Sequence, residues 1–338
     1  MKIDIILDAR DSATRLAELG QLAEAAGIQG VWVSSLLDGR DPFTNLSLLA
    51  WSTTRIALGA IAINPFDMHP VRIASGLLTL NELADGRARV VIGGGGEALA
   101  AVGIEPRRRV RAVAECVEII KAAAGGDPVD YRGKLYEVSN LRFGWVRSRP
   151  PPIFVGASME QMLRMAARVA DGSMMSDLPA LLAAAAMQTL GDALADHDRS
   201  RTAYETSAFA AWHVYDDAEQ AIREARQWLV LRGIFRPWVL ETLLEQDDVD
   251  LVMRSADAFW TAFRTGSHEV EGVPDAVLDA MVRNLAFVGD RAGVDAQIDK
   301  LRRFGAVGLD RIALRLYAEP EASIRLIGER LVPALAGS

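Results

Sequence analysis

The residues best placed to do chemistry stand where an apolar run, residues 90–92, gives way to Gly93, Gly94, Gly95 and Gly96 and then to Glu97. Glycine adopts positive φ and leaves peptide N–H groups uncovered, so a ligand can lie directly on the backbone of such a loop. A carboxyl group at the end of the loop can hold or donate a proton. The segment therefore predicts one wall of a cofactor pocket, and a tight strand-to-helix turn without a ligand is the alternative.

Two other predicted strand ends carry polar groups. The third strand runs into Asn64 and then His69, which can serve as an active-site base, although a histidine cramped between turn residues more often orients a loop. The fifth strand runs into Gly156, Ala157 and Ser158 at the start of a helix, where N–H groups form a seat for phosphate and an ordinary helix cap is the alternative. Acidic and hydroxyl groups at further strand ends are Asp8, Ser34, Ser35, Ser176 and Asp177.

Short β-type runs alternate with longer helical ones along the chain, which predicts parallel strands joined by crossover helices. The predicted strands cover residues 3–7, 31–34, 56–63, 88–92, 153–155, 172–175, 207–214 and 311–316. Eight such units in 338 residues favour an α/β fold of the (β/α)8 TIM-barrel type, with a doubly wound open sheet as the alternative. In a barrel, ligands bind where the carboxyl ends of the strands meet, which is where the polar groups above would lie.

Two segments depart from this alternation. Residues 129–138 predict a hairpin around Gly133, and residues 232–284 predict an irregular helical insertion within a single domain that spans residues 1–338. Asp216 is the predicted N-cap of the helix that follows the seventh strand.

Charge and composition argue against several classes of protein. A net charge of -8 and a pI near 5.2 disfavour a nucleic-acid partner. The basic run at residues 107–111 predicts a solvated helix face or, alternatively, an attraction for the anionic tail of a cofactor or substrate. The single cysteine, Cys116, excludes a disulfide framework, and the chain contains no paired-histidine metal motif, no GxGxxG after the first strand and no GxxxxGK[ST]. No apolar run is long enough to span a membrane, so we expect a cytoplasmic protein. Because no metal-binding motif is present, we also expect no metal site.

Several segments, in the same order along the chain, resemble one family of enzymes. They are AEAAGIQGVWVS (23–34), INPFDMHP (63–70), LADGRARVVIGGG (83–95), RPPPIFVGAS (149–158) and FVGDRAGVDAQIDKLRRFGAVGLDRIAL (287–314). With these motifs the chain resembles the bacterial luciferase-like superfamily of flavin- and deazaflavin-dependent TIM-barrel oxidoreductases. The resemblance is greatest to the branch that contains methylenetetrahydromethanopterin reductase and F420-dependent glucose-6-phosphate dehydrogenase.

The resemblance implies that coenzyme F420, or alternatively FMN, binds in the barrel mouth. A bulge in the third strand, with a non-prolyl cis peptide between Ile61 and Ala62, would support the cofactor ring. Glu97 is the implied proton donor, the glycine loop would line the ring and linker, and the helix start near Met159 would receive the phosphate. Taken together, the implied cofactor-binding residues are Ser35, Ile61, Ala62, Asn64, Gly94, Gly95, Gly96, Glu97, Gly156, Ala157, Ser158 and Met159.

One departure from the family pattern concerns the end of the second strand. Members of the family commonly have an aspartate and then a histidine beside the reactive ring carbon, whereas this chain has Ser35 and Leu36. Leucine cannot exchange protons. Either Glu97 moves the proton alone, or His69 or Asp177 substitutes, or the protein binds the cofactor without the family's dehydrogenase chemistry.

These features favour an F420-dependent oxidoreductase that transfers a hydride between the deazaflavin and a small organic substrate. We expect it to act as a reductase, with the substrate receiving the hydride. An FMN-dependent monooxygenase of the same fold and a non-catalytic flavin- or deazaflavin-binding protein are the alternatives. The resemblance also implies a homodimer. The aromatic residues of the insertion at 232–284 are expected to roof the pocket.

Overall fold

The structure is a computed structural model that describes residues 1–336, with the exception of the Glu97 side chain. Its strands are β1 (Lys2–Leu7), β2 (Gly30–Ser34), β3 (Ala57–Ile63), β4 (Ala88–Ile92), β5 (Val129–Arg132), β6 (Glu137–Leu141), β7 (Ile153–Gly156), β8 (Gly172–Ser176), β9 (Glu205–Tyr215), β10 (Ala286–Asp290) and β11 (Arg311–Leu316). Its helices are α1 (Ala13–Ala25), α2 (Pro42–Asn45), α3 (Ser47–Ser52), α4 (Pro70–Leu83), α5 (Arg109–Ala124), α6 (Glu160–Val169), α7 (Ala180–Ala195), α8 (Ala218–Gln227), α9 (Pro237–Leu240), α10 (Gln246–Arg254), α11 (Ala256–Thr265), α12 (Asp275–Leu285), α13 (Val294–Ala306), α14 (Pro320–Leu326) and α15 (Val332–Leu335).

Eight of these strands form a closed parallel barrel. Strands β1, β2, β3, β4, β7 and β8 follow one another around the ring, β8 pairs with β9, and β9 pairs with β11, which returns to β1. This closure confirms the (β/α)8 TIM barrel and excludes an open, doubly wound sheet. The eight strands of the ring are the eight predicted from the sequence.

The three strands outside the ring are β5, β6 and β10. Strands β5 and β6 form the predicted antiparallel hairpin. Strand β10 pairs in parallel with the last part of β9, from Ala211 to Tyr215, whereas the preceding part of β9 pairs with β11. Strand β10 is not among the predicted strands, because its five residues follow α12 directly, with no turn residue to mark the start of the strand.

The predicted N-cap of α8 is wrong by one residue. Asp217, not Asp216, precedes the first helical residue, and its Oδ1 accepts the N–H of Glu219 at 2.8 Å. Asp216 lies one residue too far from the helix, and its carboxylate pairs instead with Arg291 at 2.8 Å.

Between α8 and β10 the chain forms four helices, α9 to α12, without an intervening strand. This stretch is where the regular alternation of strand and helix stops. None of the helices in residues 1–336 is long and apolar enough to cross a membrane.

The middle of the barrel interior is apolar. Alternate residues of a strand point inward, and the side chains that meet here are Ile6, Trp32, Ile61, Val91, Phe154, Met174, Phe209 and Ala313. The rings of Trp32 and Phe154 pack edge to face, with 5.9 Å between their centroids. This packed layer separates the base of the barrel from its mouth.

A layer of charged side chains lies at the base, near the amino ends of the strands. Arg311 Nη1 lies 2.7 Å from Asp4 Oδ1, and Arg311 Nε lies 2.9 Å from Glu205 Oε1. Arg89 Nη1 reaches the same Glu205 oxygen at 2.8 Å, and Trp32 Nε1 donates to Asp4 Oδ2 at 3.0 Å. Asp4 and Arg311 are buried, so their charges depend on these partners rather than on water.

We expect Arg311→Gln to lower the free energy of unfolding by about 3–5 kcal/mol, because it leaves two carboxylates without their shared cation. Urea denaturation at neutral pH measures this loss. As the control, Arg302→Gln removes an exposed pair with Asp299 and should cost less than about 1 kcal/mol. Equal losses in the two variants would show that the buried network does not carry this stability.

Candidate functional site

The loops after β2, β3 and β4 lie against one another at the carboxyl end of the barrel. Ser35 donates its N–H to the carbonyl of Ile61 at 2.7 Å, and Gly93 donates its N–H to the carbonyl of Ile63 at 2.8 Å. A Cβ on Gly93 would lie only 3.0 Å from the Cβ of Ala62, so glycine allows the close approach of these two loops. The structure therefore brings together the predicted residues of three successive strand ends.

Strand β3 contains the bulge that the resemblance implies. Its pairing with β4 shifts in register between Ala60 and Ile63, and the peptide bond between Ile61 and Ala62 is cis. Ala62 is exposed, whereas Ile61 and Ile63 on either side of it are buried. The bulge thus presents Ala62 at the open mouth of the barrel.

The glycine loop after β4 lies between the first turns of α5 and α6. A Cβ on Gly94 would touch Met162 at 3.4 Å and Arg109 at 3.5 Å, which are ordinary contacts. Gly95 has φ +74°, and a side chain there would overlap Leu99. The loop is therefore held by packing around it while its own backbone stays uncovered.

Glu97, the predicted proton donor, begins the 3₁₀ helix Glu97–Val102 directly after this loop. Gly96 is the N-cap residue of that helix, and a Cβ there would meet no atom within 4 Å. The Glu97 side chain lies outside the described part of the structure, so its role stays a prediction.

The loop after β7 lies beside the end of β8. Ala157 donates its N–H to the carbonyl of Met174 at 3.0 Å, and the hydroxyl of Ser158 accepts the N–H of Ser176 at 3.3 Å. Met159 is 54% exposed and is the N-cap residue of α6, to which it gives no side-chain hydrogen bond. The N–H groups of the first turn of α6 are therefore available to a ligand at the mouth.

Asn64 and His69 both fix the loop after β3. Asn64 Oδ1 accepts the N–H of Phe66 at 3.0 Å, and Asn64 Nδ2 donates to Asp67 Oδ2 at 2.9 Å. His69 Nδ1 accepts the N–H of Val71 at 3.2 Å and so caps α4. This geometry favours the loop-orienting interpretation of His69 over that of an active-site base.

The β5–β6 hairpin holds the same loop from outside the barrel. The hydroxyl of Tyr136 donates to the carbonyl of Pro65 at 2.7 Å. The buried carboxylate of Glu115, on α5, accepts the N–H groups of Lys134 and Tyr136. Gly133 leaves room for this carboxylate, which a Cβ at that position would overlap. Helix α5 therefore positions the hairpin, and the hairpin positions the loop after β3.

A buried ion pair whose arginine the sequence analysis missed lies at the end of β8. Arg232 Nη1 lies 3.0 Å from Asp177 Oδ1, and the Ser176 hydroxyl donates to Asp177 Oδ2 at 2.7 Å. Burial raises the pKa of the Asp177 carboxyl, and Arg232 only partly offsets this effect. The Arg232 guanidinium lies 5.0 Å from the ring centroid of Phe209, so it covers the apolar interior from above.

A second ion pair joins the first and last strands of the ring. Arg315 Nη2 lies 2.7 Å from Asp8 Oδ2. Burial alone would raise the pKa of Asp8, but the charges and hydrogen bonds of Arg315 and Arg10 together outweigh it and lower that pKa. The Arg315 guanidinium lies 5.1 Å from the ring centroid of Tyr317. Among the described residues, the buried Tyr317 hydroxyl and the buried Nε of Arg232 have no hydrogen-bond partner. Both groups are available to a polar ligand.

The ring of Tyr317 stacks on His213, with 4.4 Å between the centroids and 16° between the planes. His213 Nδ1 lies 2.7 Å from Glu224 Oε2, and the Tyr215 hydroxyl donates to the same carboxylate. Burial lowers the pKa of His213, although the neighbouring Glu224 opposes this shift. The histidine is therefore buried in its neutral form.

The lowered pKa of His213 makes stability fall as the pH decreases, because the unfolded chain binds a proton near pH 6 that the folded protein does not. Between pH 7 and pH 5.5, we expect the wild type to lose about 1 kcal/mol more unfolding free energy than His213→Gln. Urea denaturation at the two pH values measures the difference. His197→Gln removes an exposed histidine and should keep the wild-type dependence; identical pH dependence in all three proteins would contradict the assignment.

The sequence held a signal for two of the residues that were missed. Arg315 and Tyr317 follow the inward-facing Ala313 by two and four residues. Because alternate residues of a strand point to the same side, both are expected on the inner side of β11, toward the mouth. Arg232 belongs to the 3₁₀ turn Leu229–Arg232 and meets Asp177 across 55 residues of sequence, which no local pattern encodes. Among the side chains that the structure describes, which exclude that of Glu97, no three histidine, cysteine, aspartate or glutamate residues form a group that could hold a metal ion.

The fold and the loops at its mouth define a TIM-barrel protein with a backbone-lined cleft at the carboxyl ends of the strands. The chain belongs to the luciferase-like monooxygenase family, whose profile matches residues 3–308.

Individual relatives agree with this assignment. The 5,10-methylenetetrahydromethanopterin reductase of Archaeoglobus fulgidus is 29% identical over 322 residues, which cover 93% of this chain and 94% of that protein. The F420-dependent glucose-6-phosphate dehydrogenase of Nakamurella multipartita is 27% identical over 329 residues, which cover 90% of this chain and 93% of that protein. The solved structure of the coenzyme F420-dependent tetrahydromethanopterin reductase of Methanopyrus kandleri has a TM-score of 0.80 at 21% identity and covers 98% of each chain. These similarities confirm the resemblance inferred from the sequence motifs.

Proposed function

We propose that the protein is a coenzyme F420-dependent oxidoreductase that transfers a hydride between the deazaflavin and a small organic substrate, acting as a reductase. The observation that carries this proposal is the packing of an uncovered glycine loop against the bulge of β3 at the barrel mouth. Among the relatives that match at least 90% of the chain, one is named a methylenetetrahydromethanopterin reductase and another an F420-dependent glucose-6-phosphate dehydrogenase. The second name supports F420 over FMN as the cofactor. An FMN-dependent monooxygenase is the alternative within the same family.

The mouth suits a flat ring that carries a phosphate-bearing tail. The backbone at Ala62 and Gly94 is uncovered and can lie against a ring, and the first turn of α6 beyond Ser158 can receive phosphate. Arg109, beside Gly94, adds a positive charge close to this path. When bound, the deazaflavin supplies the two electrons and the hydride. The set proposed to hold the cofactor is therefore the one predicted from the sequence, with Asn64 shaping its loop.

We assign proton donation to Glu97 rather than to the other candidates. Asp177 is held in a buried ion pair with Arg232, and His69 caps α4. Leu36, 37% exposed at the mouth, has no proton to exchange. Glu97 directly follows the glycine loop, so its carboxyl group can protonate the substrate atom next to the carbon that receives the hydride.

We further propose that residues 232–284 form the roof of the mouth and select the substrate. Arg232 reaches down to Asp177 and over Phe209, and Arg236 donates to the carbonyl of Asp177 at 3.2 Å. The unpartnered Nε of Arg232 and hydroxyl of Tyr317 offer hydrogen bonds to a polar group of the substrate.

Titration of the cofactor-free protein with coenzyme F420, and separately with FMN, tests the cofactor assignment through quenching of tryptophan fluorescence. We expect tighter binding of F420. Gly94→Val adds a side chain against Met162 and Arg109 on the proposed cofactor-binding loop and should weaken F420 binding by about tenfold or more, whereas Gly144→Val, at an open position, should leave it unchanged. Tighter binding of FMN would favour the monooxygenase, and binding of neither cofactor would contradict the proposed pocket.

The same preparation tests the proton donor. With reduced F420 and a panel of activated C=C, C=N and carbonyl compounds, we expect turnover that Glu97→Gln lowers by about 10²- to 10⁴-fold without loss of cofactor binding. Oxygen consumption would indicate the monooxygenase, and a lack of turnover with all compounds would favour a non-catalytic binding protein.

We also propose that two copies form a homodimer through the outer face of α3. Trp51 and Leu48 on this helix are 78% and 41% exposed, and Leu83 on the adjacent α4 is 40% exposed. Large apolar side chains exposed together mark interaction surfaces. The cytoplasmic location expected from the sequence stays a prediction.

Sedimentation velocity tests the dimer. We expect the wild type to sediment as a dimer. We expect Trp51→Ser to shift the protein toward the monomer, because the variant removes the large apolar side chain that the proposed interface would bury. Leu181→Ser, which changes a 71% exposed residue on α7, should remain dimeric. A monomeric wild type, or equal dissociation of both variants, would exclude this interface.

A further inference from the structure

A cavity of about 1170 Å³ opens at the base of the barrel, on the face opposite the proposed active site. The first residues of several ring strands line it, among them Lys2, Ala57, Ala88, Ile153 and Glu205. Its volume exceeds the range of about 300–1,000 Å³ that is usual for small-molecule sites. The proposed function makes no use of this cavity.

The charges around this cavity are unbalanced. Its acidic residues are all engaged: Asp171 pairs with Lys121 at 2.6 Å, Glu205 with Arg89 at 2.8 Å, and Asp310 with Arg201 at 3.0 Å. The basic residues that line it are Lys2, Arg55, Arg87, Arg89, Lys121 and Arg149. Basic side chains therefore outnumber the acidic ones in a protein whose net charge is -8.

Two of these cations, Lys2 and Arg149, are exposed and form no ion pair with a carboxylate of the described residues. Arg55 and Arg87 both interact with the Glu24 carboxylate, and Arg87 also interacts with Asp85. The Arg87 guanidinium donates to Thr53 and to the carbonyl groups of Ala50 and Ile56. Positive charge on the cavity wall is thus left for a ligand to neutralise.

The backbone that carries these cations is fixed in place. The carbonyl of Arg149 accepts a hydrogen bond from Asn81 Nδ2 at 2.8 Å, and three prolines, at positions 150–152, follow it along the cavity wall. The N–H of Arg55 donates to Glu24 at 2.6 Å, and the N–H of Lys2 donates to the carbonyl of Asp310 at 2.9 Å. Held in this way, the cations lose little backbone freedom when a ligand binds.

We propose that this cavity binds a small molecule that carries several phosphate groups. Phosphate oxygens accept paired hydrogen bonds from arginine, and successive phosphates can meet cations placed around one cavity. A single carboxylate or phosphate would balance only part of the excess of six basic over three acidic residues in the lining. The site lies at the end of the barrel away from the loops of the proposed active site, so its occupancy stabilises the folded chain without entering the chemistry.

Isothermal titration of the full-length protein with inorganic tripolyphosphate tests this site. We expect saturable binding at low ionic strength that weakens as salt is added. The double variant Arg55→Gln/Arg149→Gln should raise the dissociation constant by about tenfold or more. The double variant Arg254→Gln/Arg303→Gln, which removes the same charge from exposed positions that do not line the cavity, should bind like the wild type.

Three outcomes would overturn the proposal. One is the absence of saturable binding by the wild type, and another is equal binding by the two double variants. The third is loss of binding in Arg107→Gln/Arg108→Gln, which would move the anion to the basic run before α5. The first two outcomes do not bear on F420 binding, so the site can fail while the proposed function stands.

Discussion

The barrel depends on the buried network of Asp4, Arg89, Glu205 and Arg311. Charges can stay inside a barrel only when each is paired, because burial without a partner costs several kcal/mol per ion. The network ties β1, the first strand of the chain, to β11, the last strand of the ring, and so fixes the seam at which the barrel closes. Since parallel strands rise together from this base, the register set here also fixes which residues reach the mouth.

The two ends of the barrel use charge in different ways. At the base of the interior, arginine and carboxylate groups satisfy one another across the ring. At the mouth, two ion pairs bring arginines above the apolar layer but leave the Tyr317 hydroxyl and the Arg232 Nε without partners in the described residues. Arg311 Nε at the base also makes no hydrogen bond, but it lies 2.9 Å from the Glu205 carboxylate, so its charge is still paired. The base therefore has the character of a scaffold held by paired charges.

The sequence predicted the features that short segments encode. Each ring strand is an apolar run bounded by turn residues, and the glycine loop after β4 is recognisable from composition alone. What it did not predict depends on contacts between distant segments. Strand β10 exists because the end of β9 offers a free edge, and the pairing of Asp177 with Arg232 requires the turn after α8 to fold back over the barrel. The departure at Leu36 was visible in the sequence, but only the structure shows which other side chains are already engaged.

Strand β9 has a further consequence for how this protein can change. Its first part closes the ring with β8 and β11, and only its last part pairs with β10. The ring of the barrel is therefore closed without helices α9 to α12 and β10, which are attached at the end of β9. Length and composition in this segment can vary while the hydrogen bonds that close the ring stay intact, so the segment that we propose to roof the mouth is the part most readily exchanged.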